Sequence, residues 1–343
     1  MNELAKQEMT MQFESRVLRL PKDVDYPDQD QDACRIDAPR GIAAIADGVS
    51  SGIFSRLWAG ILTEAIVADM PDPENQEAFG RWLTLRREVW ASQIDPTRLS
   101  WFQKPKLREG AFSTLLWVRL LPDRGSQQPG SCRLRCFAVG DSCLFHVRDG
   151  KLLRTFPIQR AAELEANPVV VGSVDLNRDQ YLQFKSFEEP CWRGDLLVLC
   201  TDAVADWALR LQESGQPPDW DSYWDVPEQA WREEVMGLRN QRQMRVDDAT
   251  LVLLRVTEQV VAAAPLSGPP PLPEPAEVAV PIEPLPAPGA AGQAWDEKLK
   301  SVTGQLAEEV TQQLGRGIKK LNELKQSAGS LIRKYRDKFR QDK

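Results

Sequence analysis

An α+β fold, with strands and helices gathered into separate layers, is what this 343-residue chain predicts. Three observations carry that reading. Short apolar runs of strand character outnumber helical ones. The helical patterns collect in two blocks, 53–93 and roughly 203–240, and do not alternate one for one with strands. A single local grammar, an apolar run meeting an acid and a small residue, recurs along the chain.

The clearest instance is Ile42 to Gly52. Ile42-Ala43-Ala44-Ile45-Ala46 is short, apolar and uncharged, which predicts a buried strand. Asp47-Gly48 ends it, and an amphipathic helix follows, with Ile53, Leu57, Ile61 and Ala65 on one face. A carboxylate at the mouth of a core strand is costly unless something pairs with it. Gly48 lets the backbone turn or approach a ligand closely.

Upstream, residues 1–14 read as a polar arm, and Val17 to Leu20 as a first strand. Asp28, Asp30 and Asp32 alternate with amides and lead into a strand through Ala33 and Cys34. Downstream, the helical block breaks near Pro71-Asp72-Pro73 into two antiparallel helices, with Trp82, Leu83 and Trp90 as core. Gly110 to Leu120 reads as a strand. Leu134 to Val147 reads as a hairpin with Asp141 at its Gly-Asp-Ser tip. The region 155–185 is irregular, a candidate substrate-facing segment. Gly194 to Trp207 repeats the opening grammar, with Asp202 at the strand end. Trp220, Trp224 and Trp231 pack a helical stretch that runs to about 240. Asp247-Asp248 immediately precedes a last strand, Ala249 to Val256.

Composition then changes. Residues 258–293 are rich in Pro, Ala and Glu and read as a linker that cannot build a core. In 294–343, Leu299, Val302, Leu306, Val310, Leu314, Ile318, Leu321 and Leu324 recur at helical spacing. This predicts an amphipathic basic C-terminal helix that needs a surface to lie on. Partner docking or self-association is favoured over an anionic membrane surface, because Glu297, Glu308, Glu309 and Glu323 dilute the basic face.

The net charge is −7, with +5 on 294–343 and −12 on the rest. An acidic body argues against nucleic-acid binding and suits one that gathers cations. No apolar run reaches the roughly 18 residues of a membrane span. The start of the sequence lacks a signal-peptide core, so a cytoplasmic location is expected. Six dispersed cysteines read as free thiols. With no CxxC pair and His146 as the one histidine, zinc is disfavoured.

Asp32, Asp47, Asp202 and Asp247 thus stand at four strand ends, and Asp141 on a hairpin tip. If the ends converge, mutual repulsion raises their pKa values unless cations neutralise them. An all-oxygen set favours Mg²⁺ or Mn²⁺. Two such ions suit metal-assisted hydrolysis of a phosphate ester.

The ordered series Asp32-Ala33, Ala46-Asp47-Gly48-Val49, Gly110 to Thr114, Gly140-Asp141-Ser142, Cys200-Thr201-Asp202 and Asp247-Asp248-Ala249-Thr250 resembles the metal-dependent protein phosphatases of the PPM class, type 2C. The bacterial variant is the nearest in look, with Asp30-Gln31-Asp32-Ala33 as its first motif, and the resemblance spans about residues 15–257. It implies a four-layer sandwich: two central, mainly antiparallel sheets flanked by helix pairs, with a two-metal centre at one end. It further implies phosphoserine and phosphothreonine hydrolysis by direct attack of a water bridging two Mn or Mg ions. Asp47 would bridge both metals; the Gly48 carbonyl and Asp32 would serve one, Asp202 and Asp247 the other, and Asp141 a looser third. Asp47, Asp202 and Asp247 would be the catalytic acids. A phosphorylated protein substrate and a cognate serine/threonine kinase are the partners implied.

Two departures bear on activity. Where the family often has a phosphate-holding arginine, this chain has Pro27; where some members have a histidine after Asp-Gly, it has Val49. Pro27 motivates the alternative of a pseudophosphatase, a phosphoprotein-binding regulatory module on the same fold. His146 reads as a strand residue, so a pH–rate profile without a histidine limb is expected.

Overall fold

A computed structural model describes residues 8–123, 128, 130–164, 168–175 and 182–261. The chain divides into two units, Met1–Leu266 and Ser267–Lys343. Of the expected linker, 258–293, residues 258–261 instead extend the last strand, Ala249–Val261, because they pair with the start of the first strand; the rest of the linker and the C-terminal helix lie outside the described residues.

Within the first unit, twelve strands and five helices are described. The strands are β1 (Glu8–Leu20), β2 (Ala33–Asp37), β3 (Ile42–Ala46), β4 (Phe112–Ser113), β5 (Leu115–Pro122), β6 (Ser131–Val139), β7 (Cys143–Arg148), β8 (Lys151–Phe156), β9 (Val171–Gly172), β10 (Lys185–Trp192), β11 (Leu196–Cys200) and β12 (Ala249–Val261). The helices are α1 (Ser55–Asp69), α2 (Gln76–Ser92), α3 (Gln103–Glu109), α4 (Asp202–Glu213) and α5 (Glu228–Asn240). One five-stranded sheet has the order β1-β12-β11-β7-β8, the other β10-β6-β5-β3-β2, and β4 pairs β9 apart from both. All these pairings are antiparallel.

Three apolar cores show how the layers stack. Strand side chains alternate between faces, so one strand feeds two cores. In β3, Ala43 and Ile45 face the other sheet, with Leu116, Leu134, Leu197, Val252 and Leu254. Ile42, Ala44 and Ala46 point the opposite way, onto Trp58, Leu62 and Ile66 of α1 and Trp82 and Trp90 of α2. In β11, Val198 and Cys200 turn outward onto Trp207 and Leu209 of α4, Trp231 of α5, and the 3₁₀ turn carrying Trp220. The result is helix pair, sheet, sheet, helix pair: the four-layer arrangement expected.

Two local differences have physical reasons. The first strand begins at Glu8, well before Val17, and its thirteen residues all pair with β12. Its even polar content hides it, because a strand backed by a long partner gains from the ladder whatever its outer face carries. On α1 the buried stripe is Trp58, Leu62 and Ile66, while Leu57 and Ile61 are only partly covered. The large Trp58 sets the rotation, and its indole N–H donates to the Val171 carbonyl at 2.9 Å. The six cysteines are all free, as expected.

Candidate metal centre

Every predicted acid lies at the end or tip of an element in the sandwich. Asp32 immediately precedes β2, Asp47 follows β3, and Asp141 sits in the β6–β7 turn. Asp202 opens α4 after β11, and Asp247 stands two residues before β12. The structure brings these five together electrostatically. Burial raises the Asp47 carboxyl well above the usual carboxylate range, and Asp32, Asp202, Asp141 and Asp247 each push it further.

The Asp47 backbone is pinned from the neighbouring strand. Its N–H donates to Thr114 Oγ1 at 3.0 Å, and its carbonyl accepts from the Thr114 N–H at 2.9 Å and from Ser113 Oγ at 2.8 Å. Thr114 Oγ1 also lies 2.7 Å from Ser142 Oγ, which ties the Asp141 turn to the same point. Gly48 completes the corner, its N–H donating to the Gln31 carbonyl at 3.2 Å. A Cβ on Gly48 would lie 2.8 Å from that oxygen and 3.0 Å from Ser55, so the loop closes only on glycine.

Asp32 is 2% exposed. Its Oδ2 accepts from Thr201 Oγ1 at 2.9 Å and Thr250 Oγ1 at 2.6 Å, while its Oδ1 is buried with no partner. Burial raises its pKa, the Thr250 hydrogen bond opposes this, and Asp30 and Asp248 add repulsion. Asp202 shows the same asymmetry. Oδ2 accepts from Arg245 Nη1 at 3.1 Å, and Oδ1 is buried without a partner among the described residues. Burial, then Asp247, raises its pKa against Arg245. Asp247 is the most open, 3.4 Å from Lys22 Nζ.

Orphaned carboxylate oxygens in a crowd of acids, with all-oxygen donors, fit a hard divalent cation such as Mg²⁺ or Mn²⁺. Among the described residues nothing hydrogen-bonds to the Gly48 carbonyl, which leaves it able to join such a set.

The rim also holds Asp30, a member of the acidic cluster read from sequence at Asp28 to Asp32, and Asp248 and Arg239, for which no separate role was read from sequence. Asp30, Asp32 and Asp248 bring carboxylate oxygens within 4.8 Å of one another. Asp248 braces the first loop, accepting from the N–H of Lys22 at 2.6 Å and of Gln31 at 2.9 Å. Asp30 accepts from the Asp32 N–H and from Arg19. Arg239, 6% exposed on α5, donates to the carbonyls of Leu20, Pro21 and Asp247 and so joins the end of β1 to the start of β12. An arginine 8 residues from the acid it steadies leaves no local pattern to read. Asp248 did leave one, in Asp247-Asp248, but which of the two faces inward depends on register.

Pro27 begins a 3₁₀ turn, Pro27–Gln29. From α1, Arg56 reaches this turn and donates to the Asp28 carbonyl at 2.7 Å. His146 lies in β7, wholly buried, with Nδ1 2.7 Å from Glu189 and Nε2 2.9 Å from Asp195. Asp195 precedes β11 and Asp202 follows it, so the two acids are separated by the length of that strand, about 16 Å. His146 is thus bound to the end of β11 away from the metal-centre acids, the strand position expected of it.

No family model matches the chain, and no curated protein does. Solved structures do. The catalytic domain of the serine/threonine protein phosphatase PstP, in complex with two manganese ions, is 18% identical at a TM-score of 0.45, over 72% of this chain and 100% of that one. Stp1, a serine/threonine phosphatase from Staphylococcus aureus, is 12% identical at 0.43, over 71% and 95%. PppA, a regulatory component of a secretion system in Pseudomonas aeruginosa, is 15% identical at 0.45, over 73% and 100%. Two of these three are named as serine/threonine phosphatases. Among the described residues, no helix is long and apolar enough to cross a membrane.

Proposed function

We propose that the chain is a metal-dependent serine/threonine protein phosphatase of the PPM class, hydrolysing phosphoserine and phosphothreonine with two Mn²⁺ or Mg²⁺ ions and room for a third. The observation that carries this reading is the mutual repulsion of Asp32, Asp141, Asp202 and Asp247 with Asp47, together with the buried Oδ1 atoms of Asp32 and Asp202, which have no partner among the described residues. Asp47, Asp202 and Asp247 are the catalytic acids. Asp32, Asp47, the Gly48 carbonyl, Asp141, Asp202 and Asp247 hold metal. Two ions bound there supply a nucleophilic water at neutral pH and offset charge on the phosphoryl group in transfer. The chain's own residues position and neutralise. Thr114 and Ser113 fix the Asp47 backbone, Thr201 and Thr250 hold one oxygen of Asp32, and Arg245 keeps a guanidinium on the rim beside Asp202. Arg245 is also held 3.5 Å from Asp206, and with metal sharing the Asp202 charge its Nη1 would be available to a phosphate oxygen.

The substrate is a phosphorylated protein, and a serine/threonine kinase that makes it is the natural partner. Free thiols fit a reducing, cytoplasmic setting. The basic segment 294–343 docks a partner or a second copy. Co-sedimentation of that segment with anionic liposomes at low salt is the outcome that would replace this with a membrane role.

Pro27 favours a second reading, a pseudophosphatase that binds phosphoprotein without turnover. One experiment separates them: hydrolysis of p-nitrophenyl phosphate and of a phosphothreonine peptide with Mn²⁺, Mg²⁺ or EDTA, by wild type, Asp47→Ala and Asp202→Asn. The phosphatase reading expects turnover that EDTA abolishes and either substitution lowers at least about a hundredfold. Absent turnover, with calorimetry still showing metal binding that depends on Asp47, establishes the second reading instead.

A further inference from the structure

Between α2 and β4 the chain crosses an exposed stretch that metal chemistry does not use. A 3₁₀ turn at Pro96–Arg98 leads to Trp101 and Phe102, which are 79% and 59% exposed. Their rings meet edge to face, with centroids 6.0 Å apart. One exposed aromatic is ordinary; two held against each other in water are a patch that gains by being covered. Helix α3 follows at once and carries Lys104, Lys106 and Arg108. None of these three cations forms an ion pair with a described residue. Outside 294–343 the chain carries a net −12, so this basic run stands against the net charge of the rest of that part of the sequence.

The patch is joined to the metal centre by one short segment. Helix α3 ends at Gly110, held at φ +83° where an added Cβ would meet Ser173 and Val174 at 2.8 Å. The next residues pair with the loop after Asp47: Ile53 N–H reaches the Gly110 carbonyl at 3.5 Å, and Val49 N–H reaches that of Phe112 at 2.9 Å. Seven helical residues rise about 10 Å, the span of about three residues of extended peptide.

We propose that Trp101, Phe102 and the cations of α3 form a docking surface for the phosphoprotein substrate. It takes an acidic segment bearing an apolar side chain, a few residues from the phosphorylated one. The identity of this partner rests on the phosphatase reading; the surface itself does not. Rigid aromatic rings give contact area at low entropy cost, and the unpaired cations select acidic flanks. An anionic membrane shares the chemistry, but α3 is too short to lay an amphipathic face on lipid and the acidic body is repelled by it.

The test uses the full chain and two variants whose substituted side chains are at the surface, W101S/F102S and K106E/R108E. Fluorescence anisotropy reads binding of a synthetic phosphothreonine peptide with Glu and Leu flanks, against the same peptide with Lys flanks. p-Nitrophenyl phosphate turnover and co-sedimentation with phosphatidylserine vesicles are run on the same preparations. The acidic peptide should bind at least about tenfold more weakly to both variants, with p-nitrophenyl phosphate turnover unchanged. Equal binding of the two peptides by wild type, equal binding of the acidic peptide by all three proteins, or a loss confined to vesicles overturns the proposal. A wild type that does not turn over p-nitrophenyl phosphate, yet binds the acidic peptide in a variant-sensitive way, overturns the phosphatase reading and supports the surface.

Discussion

His146 shows how one buried side chain can couple the two sheets. It sits on β7 with a carboxylate on each ring nitrogen, Glu189 from β10 of the other sheet and Asp195 from the turn before β11. Cys191 is near enough for His146, Cys191 and Asp195 to suggest a metal site. Asp195 is already satisfied, however. It accepts a bidentate pair from Arg148, at 2.6 and 2.7 Å, the His146 ring and the Trp192 N–H. Arg154 takes the second Glu189 oxygen at 2.6 Å. The group is an ionic clamp of two carboxylates and two guanidiniums around one imidazole. Burial alone would lower the imidazole pKa, but hydrogen bonds to Asp195 and Glu189 outweigh it and the net shift is upward. A raised folded value means protonation favours the fold. The clamp therefore contributes fully below the unfolded value of about 6.5 and fades as pH rises through the folded one. His146→Gln should cost on the order of 3 kcal/mol at pH 6, seen as a Tm lower by roughly 6–12 °C. The difference from wild type should narrow toward pH 9. A gap that stays constant from pH 5 to 9 would show that packing, not charge, sets the loss. The p-nitrophenyl phosphate pH–rate profile should keep its shape in this variant.

At the scale of elements, the loop from β3 into α1 decides whether the proposed metal centre can form. A Cβ on Gly48 would lie 2.8 Å from the Gln31 carbonyl oxygen and 3.0 Å from Ser55. Gly48→Ala must push the Asp32 loop away from Asp47, separating two acids that a shared ion needs close. The expected result is metal affinity down at least about tenfold by calorimetry, with Tm in EDTA lowered by only a few degrees. Unchanged affinity would show that the loop yields at no cost to the centre. Much of this was legible in sequence. Apolar strands capped by Asp47 and Asp202 announce themselves, because burial demands uninterrupted apolar residues and a carboxylate has to stop them. The Gly140-Asp141-Ser142 tip was legible for the same reason that its glycine is required: Gly140 has φ +94° and a Cβ there would lie 2.7 Å from Thr114. What sequence hid was contact across long separations. Thr250 in β12, Arg245 in the loop before it and Arg239 in α5 leave no distinguishing local pattern, and only the pairing of β12 with β1 and β11 brings them to Asp32, Asp202 and Asp247.

For the molecule as a whole, the same pairing sets where the chain can be cut. Glu8 of β1 lies opposite Val261 of β12, so the first and last strands of the unit close on each other over thirteen residues. β12 is also interior to its sheet, between β1 and β11, and contributes Leu251 and Leu253 to the outer core and Val252 and Leu254 to the inner one. All three cores are built from residues between Phe13 and Val256. A fragment ending at Leu266, where the first unit ends, therefore retains every buried contact described and should fold unaided. Its Tm should lie within about 2 °C of the full chain's, and its metal-dependent turnover of p-nitrophenyl phosphate should be the same. A fragment ending at Asp248 lacks β12, exposes two cores and the edges of two strands, and should aggregate. If the fragment ending at Leu266 is instead unstable or inactive while the full chain works, the region beyond 266 supplies part of the fold or the centre. If both fragments behave as expected, the acidic body is self-sufficient and the basic segment 294–343 acts on where the protein goes and what it meets, not on the chemistry it performs.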